Sequence, residues 1–583
     1  MVPSTMPRRP VVRLGSASRG SFSMSLAEVH PAVAAFDPNW TPPAPGPWMQ
    51  DRAHTPAPCT RISQELYSPG FTSGFQETVQ KYGALVCLAM RTVNGYTYHQ
   101  VQPFDMPGPD GPPSPEQVGA EFGRRLEAAT NAFEKQIWLD DLRLWDDELK
   151  PAAIGTHVSL FGTDLTSLND DALRAHIATC ADHLAKMVHQ HHRFNLAALV
   201  PVGDFLLQVS SWSGLAPTAL FDALEGASPV SSLAPPELIA VVAALRSDDE
   251  GRALLSGDGD AAERLSRLAV QVPAVADYLA QTGFRLVDGF DVNRPTLSEC
   301  PDVVLGKIGA ALASDEHAAT ARAEAFAAKV RATIPDEHKA AFDDLLLQAR
   351  TVYRLRDERG IYSDISAFGL LRLAMLEVGR RLTATGRLDD PTEALDAGVD
   401  ELNAMIGGAA TPTAADLRAR AAHRAGLIRE GSPRFLGPPP PDPPPVDQLP
   451  PALGRLMSAV GFMIDGILNE VADPTEEGPI KGIPIGGRVY EGRARVARTF
   501  EEVFALEPGE VLVTPSTGEA FNAMMHLVGA IVTDHGSYAS HAAIMARELG
   551  FAAVVGTTNA SKRIPHGAMV RVDGGTGEVT VLG

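Results

Sequence analysis

The sequence predicts a multidomain chain in which a mainly α domain is followed by a small α/β domain. Apolar residues recur at helical spacing through most of residues 60–430, and strand patterns are sparse there. A proline tract at 438–445 interrupts this pattern, and beyond residue 478 short strands alternate with helices. A length of 583 residues is sufficient for two to four domains.

Composition excludes several classes of partner. The formal net charge is −21 and no basic run stands out, which argues against nucleic acid and anionic membranes. No apolar run reaches the length of a membrane span. The four cysteines are widely spaced and show neither a disulfide framework nor metal-ligand spacing. We therefore expect a cytoplasmic protein with no metal bound to this chain.

Local sequence patterns define the first two segments of the chain, residues 1–25 and 26–430. Residues 1–25 are rich in Arg and Ser without the apolar core of a signal peptide, so they are interpreted as a disordered leader. Residues 26–430 form the mainly helical domain, in which Ser167 and Asp170 have capping-box spacing before an amphipathic helix. Residues 94–98 (Asn-Gly-Tyr-Thr-Tyr) predict a hairpin turn, which could also line a binding pocket. Further helices are predicted at 115–149, 235–246, 260–281, 316–332, 336–358, 364–385 and 413–429.

A linker at 431–477 precedes the final domain. Its proline tract predicts a stiff spacer, and an amphipathic helix follows from Leu453. A second break at 473–482 is rich in Gly, Pro and acidic residues, so it is either a pivot for domain movement or an ordinary connector. Residues 478–583 then form the α/β domain.

One histidine in the final domain has the setting of a reactive group. A strand that ends at Thr533 runs into a Gly/Ser turn, and His541 then lies on the first turn of a helix that Ser540 can cap. Backbone N–H groups and the helix dipole converge at such a position and favour an anion. An imidazole there indicates a histidine that carries a phosphoryl group, although a surface or capping histidine has the same local pattern.

The stretch from Thr533 to Gly550 resembles the swivelling phosphohistidine domain of the phosphoenolpyruvate-synthase and pyruvate-phosphate-dikinase group. It matches T-D-x-G-G-x-x-S-H-x-A-[IV]-x-A-R-E-x-G at most positions, with Ser537 in place of the second glycine. Three flanking segments also match, at 482–496, 509–517 and 572–579. The resemblance implies that His541 is phosphorylated while Ser540 and Thr533 bind the imidazole or the phosphate.

A second resemblance lies in the helical domain. Gly283-Phe-Arg285, Asp291 and the run from Pro295 to Pro301 are similar to the acceptor domains of rifamycin phosphotransferases and phenylphosphate synthases. Neither a phosphate-binding P-loop nor an ATP-grasp region is recognisable in the sequence. The arrangement therefore resembles the larger subunit of phenylphosphate synthase, which implies that ATP and Mg²⁺ bind to a separate ATP-grasp subunit.

The resemblance implies a phosphoryl relay. His541 would be phosphorylated from ATP and would pass the group to the hydroxyl of phenol or an alkylphenol such as cresol, giving aryl phosphate, AMP and phosphate. Two alternatives remain: a phosphotransferase or condensing enzyme that acts on a larger natural product, and a non-catalytic phosphocarrier.

The predicted acceptor site consists of side chains that complement the negative charge of a phosphoryl group, together with residues that border the matched motifs. An arginine fork suits phosphoryl oxygens, although the same cluster is also typical of a salt-bridged helix. Its members are Arg350, Arg354, Arg356 and Glu358, with Arg285 and His189 completing the predicted set. His189, His191 and His192 have a simpler interpretation as a charge-favourable cap at a helix end.

Overall fold

The computed structural model describes residues 36–52, 54–106, 111–315, 317–440, 445–468, 478–498, 500–503, 505–517, 521, 524–525 and 527–582. The predicted leader at 1–25 and residues 469–477, which include the first half of the predicted pivot at 473–482, lie outside the described residues.

Helices dominate the chain from residue 61 to residue 468, as the spacing of apolar residues predicts. Two short π-helical turns, Trp145–Leu149 and Ile361–Ile365, each join the α-helices on either side of them. The α-helices of the described residues are α1 Arg61–Tyr82, α2 Pro115–Lys135, α3 Trp138–Leu144, α4 Lys150–Phe161, α5 Asp170–Arg193, α6 Asn195–Ser213, α7 Ile239–Leu245, α8 Asp249–Ser256, α9 Ala261–Gln271, α10 Pro273–Thr282, α11 Pro301–Ala313, α12 Ala318–Thr333, α13 Lys339–Tyr353, α14 Leu355–Gly360, α15 Ser366–Ala384, α16 Val399–Ile406, α17 Ala414–Glu430, α18 Pro451–Leu468, α19 Phe500–Val503, α20 His541–Leu549 and α21 Ala560–Arg563.

A small antiparallel sheet accompanies the helices. Its strands are β1 Trp48–Gln50, β2 Val86–Val93, β3 Tyr96–Pro103 and β4 Phe435–Leu436, in the order β2-β3-β1-β4. Asn94 and Gly95 have φ values of 52° and 82°, which suit the tight turn between two antiparallel strands. The predicted hairpin is therefore confirmed. The hydroxyls of Tyr96 and Tyr98 donate to backbone carbonyls of residues 427 and 433, so these rings serve packing.

The final domain is built on an eight-stranded mixed sheet. Its strands are β5 Ile480–Lys481, β6 Ile483–Ile485, β7 Val489–Val496, β8 Val511–Thr514, β9 Ala530–Thr533, β10 Ala552–Val555, β11 Met569–Asp573 and β12 Glu578–Val581. The order is β5-β12-β11-β7-β8-β9-β10-β6, in which β7 to β10 run parallel. Helix α20 lies between the parallel strands β9 and β10, as in a βαβ unit.

Helices α5 and α6 form the centre of the helical domain. The stretch Asp170–Ser213 is long and apolar enough to meet a membrane-span criterion, yet 78% of its most apolar window is buried inside the protein. Helix α1 approaches α5 so closely that a Cβ on Gly70 would lie 2.8 Å from Val188. The predicted capping box at Ser167 is wrong, because Asn169 accepts a hydrogen bond from the Ala172 amide and α5 begins at Asp170.

The predicted linker at 431–477 needs a different boundary. Leu436 pairs with Trp48 in the small sheet, and α18 packs against α6. A Cβ on Gly203 of α6 would lie 2.5 Å from the Ala459 carbonyl oxygen, and Arg455 forms an ion pair with buried Asp204. The described residues up to 468 therefore pack with the helical domain, since an apolar helix face needs a partner.

Candidate functional site

The turn that presents His541 is fixed by its own residues. Gly536 has φ of 111°, and a Cβ there would lie 2.8 Å from the Ser540 hydroxyl, so this position suits glycine. Asp534 accepts a 2.8 Å hydrogen bond from the backbone amide of Ser561, which anchors the turn to α21. His541 is consequently held at the first position of α20.

The imidazole of His541 is neutral, and one of its two nitrogens is engaged by a hydrogen bond. Its Nδ1 lies 2.9 Å from the hydroxyl of Thr517, while its buried Nε2 has no hydrogen-bond partner among the described residues. Burial lowers the pKa of His541 to about 4, with Arg356 and Lys307 acting in the same direction and Asp357 opposing them. The ring is therefore neutral at pH 7, and its Nε2 is the nitrogen available for phosphorylation when Nδ1 carries the proton.

Thr517 is a site residue that the sequence analysis did not single out. It closes the matched segment 509–517, so that segment contained the indication. Its hydroxyl fixes the orientation of the His541 ring through Nδ1.

Ser540 and Thr533 lie close to His541 in the chain, but their side chains make no hydrogen bond within the described residues. Ser540 has the backbone conformation of a helix cap, with φ of −73° and ψ of 164°, yet its hydroxyl does not bond an α20 amide. The Ser540 and Thr533 hydroxyls are buried without partners. The predicted cap bond from Ser540 is therefore not formed. Ser540 lines the cavity described below, whereas Thr533 is buried and is not among the residues that line it.

A cavity of about 300 Å³ separates His541 from the helical domain. The final domain contributes His541, Ser540, Thr517 and His535 to its wall. The helical domain contributes a wall that is partly apolar and carries charges of both signs: His54, His191, Phe290, Arg294, Arg356, Arg359, Asp288, Asp291 and Asp357 are among its residues.

The structure brings one of the predicted acceptor residues, Arg356, to this cavity. Its guanidinium lies 5.9 Å from the centre of the Tyr353 ring and 3.6 Å from the Asp357 carboxylate. Its Nη1 is buried without a hydrogen-bond partner among the described residues. An arginine N–H group without a partner is suited to a phosphoryl oxygen.

The other five predicted residues do not line the cavity. Arg354 pairs with Asp146 and with Glu358, and Glu358 also accepts hydrogen bonds from Trp145 and Lys150. These groups form a largely buried charge network that ties α14 to the π-helical turn at 145–149. The prediction of a salt-bridged helix therefore describes Arg354 and Glu358.

Structural contacts also account for the remaining predicted residues. Arg350 donates to the Ala223 carbonyl at 2.8 Å. Arg285 pairs with Glu237 at 2.7 Å. His189 is half-exposed and pairs with Glu77, whereas the next two histidines of α5 are buried. The C-terminal end of α5 therefore does not form a solvent-exposed histidine cap, because α6 begins directly after it.

Two histidines that line the cavity are each held by a buried aspartate. His191 Nδ1 lies 2.8 Å from Asp364, which stands on the π-helical turn 361–365. His54 Nδ1 lies 3.1 Å from Asp51. Burial opposes a charge on His54, but Asp51 outweighs it and raises the pKa of His54. Neither pair is recognisable in the sequence, because their members are 3 and 173 positions apart and share no motif.

The His191 pair also meets a spacing criterion for a metal site. Ligand atoms of His191, His192 and Asp364 all lie within 4.8 Å of one another. Arg359 donates to the His191 carbonyl oxygen at 3.2 Å, which places a cation beside the group. That charge and the direct hydrogen bond between His191 and Asp364 favour a histidine–aspartate pair over a metal ligand set.

The two domains meet around α20. The Glu548 carboxylate accepts a hydrogen bond from the Gly226 amide at 2.9 Å, and Arg322 donates to the Arg547 carbonyl oxygen at 3.1 Å. Arg547 is buried, with its guanidinium 5.0 Å from the centre of the Phe221 ring. The side chain of Arg547 thus joins the two domains.

Family models match parts of both domains. Residues 506–577 match the mobile domain of PEP-utilising enzymes, and residues 204–357 match the fourth domain of rifampicin phosphotransferase. The first match contains His541 and Thr517, and the second contains Arg356 and the Gly226 contact.

Whole-chain comparisons agree with these matches. Chondramide synthase of Chondromyces crocatus is 27% identical over 92% of this chain and 14% of its own length. Rifampicin phosphotransferase of Streptomyces sviceus is 27% identical over 53% of this chain and 34% of its own length. Phosphoenolpyruvate synthase of Aeropyrum pernix is 46% identical over 19% of this chain and 14% of its own length. The chain therefore spans about a third or less of the length of these relatives and is related to phosphotransferases that carry a PEP-utilising mobile domain.

Proposed function

We propose that this chain is the transfer component of a phosphotransferase, in which His541 receives a phosphoryl group and passes it to a hydroxyl bound in the cavity. The observation that carries this proposal is the position of a neutral, buried imidazole and an arginine with a free N–H group on opposite walls of one cavity. Phosphoryl transfer depends mainly on positioning and charge stabilisation, which these groups supply.

The roles of the residues follow from their contacts. Thr517 holds Nδ1 of His541, so the phosphoryl group forms its bond to Nε2. The unpartnered hydroxyl of Ser540, which lines the cavity, and the backbone amides at the start of α20 bind phosphoryl oxygens. Arg356 binds the group from the acceptor side, as a cation that stabilises charge in the transition state.

The acceptor in this proposal is a small phenol, such as phenol or an alkylphenol. Ligand pockets range from about 300 to 1,000 Å³, so a cavity of about 300 Å³ suits a small molecule. Phe290, Ile365 and Ile467 supply apolar surface for an aromatic ring. A phenol also has a hydroxyl that ionises near pH 10, within reach of a basic side chain.

The phosphoryl donor in this proposal is ATP with Mg²⁺ on a separate ATP-grasp subunit. AMP keeps the α-phosphorus and the γ-phosphoryl group leaves as phosphate, so the β-phosphoryl group is the one that reaches His541. Mg²⁺ would neutralise the ATP oxygens on that subunit rather than bind to this chain.

Chemical phosphorylation tests the carrier step without the partner. Phosphoramidate, which phosphorylates imidazoles, should label wild-type chain at one acid-labile site, and His541→Ala should lose that label. Addition of p-cresol to the washed phosphoprotein should release p-cresyl phosphate. Labelling of His541→Ala equal to wild type would show that another residue is the carrier.

The ATP step has its own test. β-Labelled ATP should give no phosphohistidine with this chain alone and should give it when an ATP-grasp subunit is added. Labelling by the isolated chain would contradict the assignment of ATP to a separate subunit.

A second candidate acceptor is a larger natural-product intermediate. The observation that favours it is the similarity to chondramide synthase over 92% of this chain. Release of phosphoryl groups to a peptide or polyketide hydroxyl, but not to phenols, would select this candidate.

A further inference from the structure

The cavity contains a histidine–aspartate pair that the proposed transfer step does not yet use. We infer that His191 is the catalytic base that removes the proton from the acceptor hydroxyl, and that Asp364 is its positioning residue. This inference rests on the proposed function and adds the residue that activates the acceptor.

The geometry gives His191 one engaged nitrogen and one free nitrogen. Nδ1 lies 2.8 Å from the Asp364 carboxylate, which fixes the ring and favours the tautomer with the proton on Nδ1. The hydrogen bond of the His191 ring within the described residues is the one at Nδ1, and the His191 side chain lines the cavity wall. The unprotonated Nε2 is therefore the atom that can accept a proton from a bound hydroxyl.

The surroundings of His191 keep it neutral before the reaction. Burial lowers the pKa of His191, and the positive charges of Arg359 and His54 act in the same direction. His192 stacks on it, with ring centres 4.3 Å apart, and the Asp364 carboxyl group lies against its Nδ1. Burial raises the pKa of Asp364, whereas the nearby cation of Arg359 acts in the opposite direction and favours the carboxylate. Arg359 also donates to the His191 carbonyl and to the Asn195 side chain.

His54 is the other histidine on this wall and is less suited to the role. Asp51 raises its pKa, so His54 holds its proton more firmly than His191 does. A protonated His54 would bind the phenolate or phosphoryl oxygen. The two histidines thus divide into a proton acceptor and a cation.

The step balances in atoms and charge. The acceptor O–H bond breaks and its proton moves to His191 Nε2. The oxygen forms a bond to phosphorus while the bond from phosphorus to His541 Nε2 breaks. The electron pair of that bond returns to the His541 ring, which leaves as neutral imidazole because its Nδ1 keeps a proton beside Thr517.

A series of acceptors with different acidity separates a base from a structural residue. The full chain is phosphorylated with phosphoramidate, and single-turnover transfer at pH 8 is measured for p-cresol and for 4-nitrophenol, which is already largely ionised. We expect His191→Gln to slow transfer to p-cresol about 100-fold or more, since general-base catalysis contributes about 10²–10⁴-fold. Transfer to 4-nitrophenol should change less than about 5-fold, because no proton has to be removed.

Control variants distinguish the loss of a catalytic base from a disturbance of the fold. His192→Gln removes the stacked neighbour, which is not among the residues that line the cavity, and should keep the wild-type ratio between the two acceptors. Asp364→Asn should follow the pattern of His191→Gln in a weaker form. Phosphorylation of His541 should be unchanged in all three variants.

Each result decides between the two proposals. Equal losses for p-cresol and 4-nitrophenol in His191→Gln would overturn the base assignment and leave the carrier function intact. The same selective loss in His192→Gln would also overturn it. Wild-type phosphoprotein that transfers to neither phenol would overturn the phenol acceptor, and the base assignment with it.

Discussion

The contact between Gly466 of α18 and Tyr538 of the final domain gives a direct test of docking. A Cβ at position 466 would lie less than 3.0 Å from ring carbons Cε2 and Cζ of Tyr538 and 2.5 Å from its hydroxyl oxygen. The Tyr538 ring is stacked on Phe462, with centres 5.2 Å apart, and lies 5.8 Å from the Phe221 ring, so it has little room to move. Gly466→Ala should therefore weaken docking of the final domain without touching the cavity chemistry.

The size of this effect follows from the cost of overpacking. Extra carbon in a well-packed contact costs about 1–3 kcal/mol. Because about 1.4 kcal/mol corresponds to a factor of ten, the docking equilibrium constant should fall about 5- to 140-fold. Transfer from phosphorylated His541 to p-cresol should slow, whereas loading by phosphoramidate should stay equal or become faster, because an undocked His541 is more accessible.

Gly461→Ala is the matched control. It lies on the same helix, and a Cβ there would meet no atom within 4 Å. Both substitutions gain the same helix propensity, about 1 kcal/mol. If Gly466→Ala transfers and loads as Gly461→Ala does, the docked arrangement described above is not the one that transfers the phosphoryl group.

Three further outcomes are expected. Thr517→Val removes the hydroxyl that orients the His541 ring, so phosphoramidate labelling should slow about 10-fold while thermal unfolding changes little; equal labelling would exclude that orienting role. Loading of His541 should be nearly constant from pH 8 to about pH 5 and should fall with a midpoint near pH 4, because the lowered pKa keeps the ring neutral above that value; a midpoint near 6.5 would contradict it. Arg356→Met should slow transfer to p-cresol about 10- to 100-fold and leave labelling of His541 unchanged, whereas Arg350→Met, away from the cavity, should leave transfer within about 3-fold.

The C-terminal domain was the part of the fold that its sequence predicted best. A local pattern places the strand end at Thr533, the turn and the start of the helix at His541, and each depends on residues close in the chain. Apolar spacing also predicts helix α5. The spacing does not decide whether Ser167 or Asn169 caps the helix, and in the structure Asn169 is the cap.

The acceptor wall could not be predicted in the same way. Arg350, Arg354 and Arg356 are equally plausible phosphate ligands in the sequence, and only the ion pairs of Arg354 with Asp146 and with buried Glu358 assign that arginine to a charge network. His191 and Asp364 are 173 positions apart, and their contact depends on the packing of α5 against a π-helical turn. Long-range contacts of this kind arise from tertiary packing, which periodicity does not encode.

The packing of α18 on the helical domain limits the distance that can separate the end of this helix from the start of the final domain. Because the described chain is anchored up to residue 468 and resumes at 478, nine residues, 469–477, join the two domains. Nine residues span at most about 30–32 Å even when fully extended. In the relay proposed above, the loading partner therefore has to present its nucleotide no farther from the end of α18 than this span plus the width of the small domain.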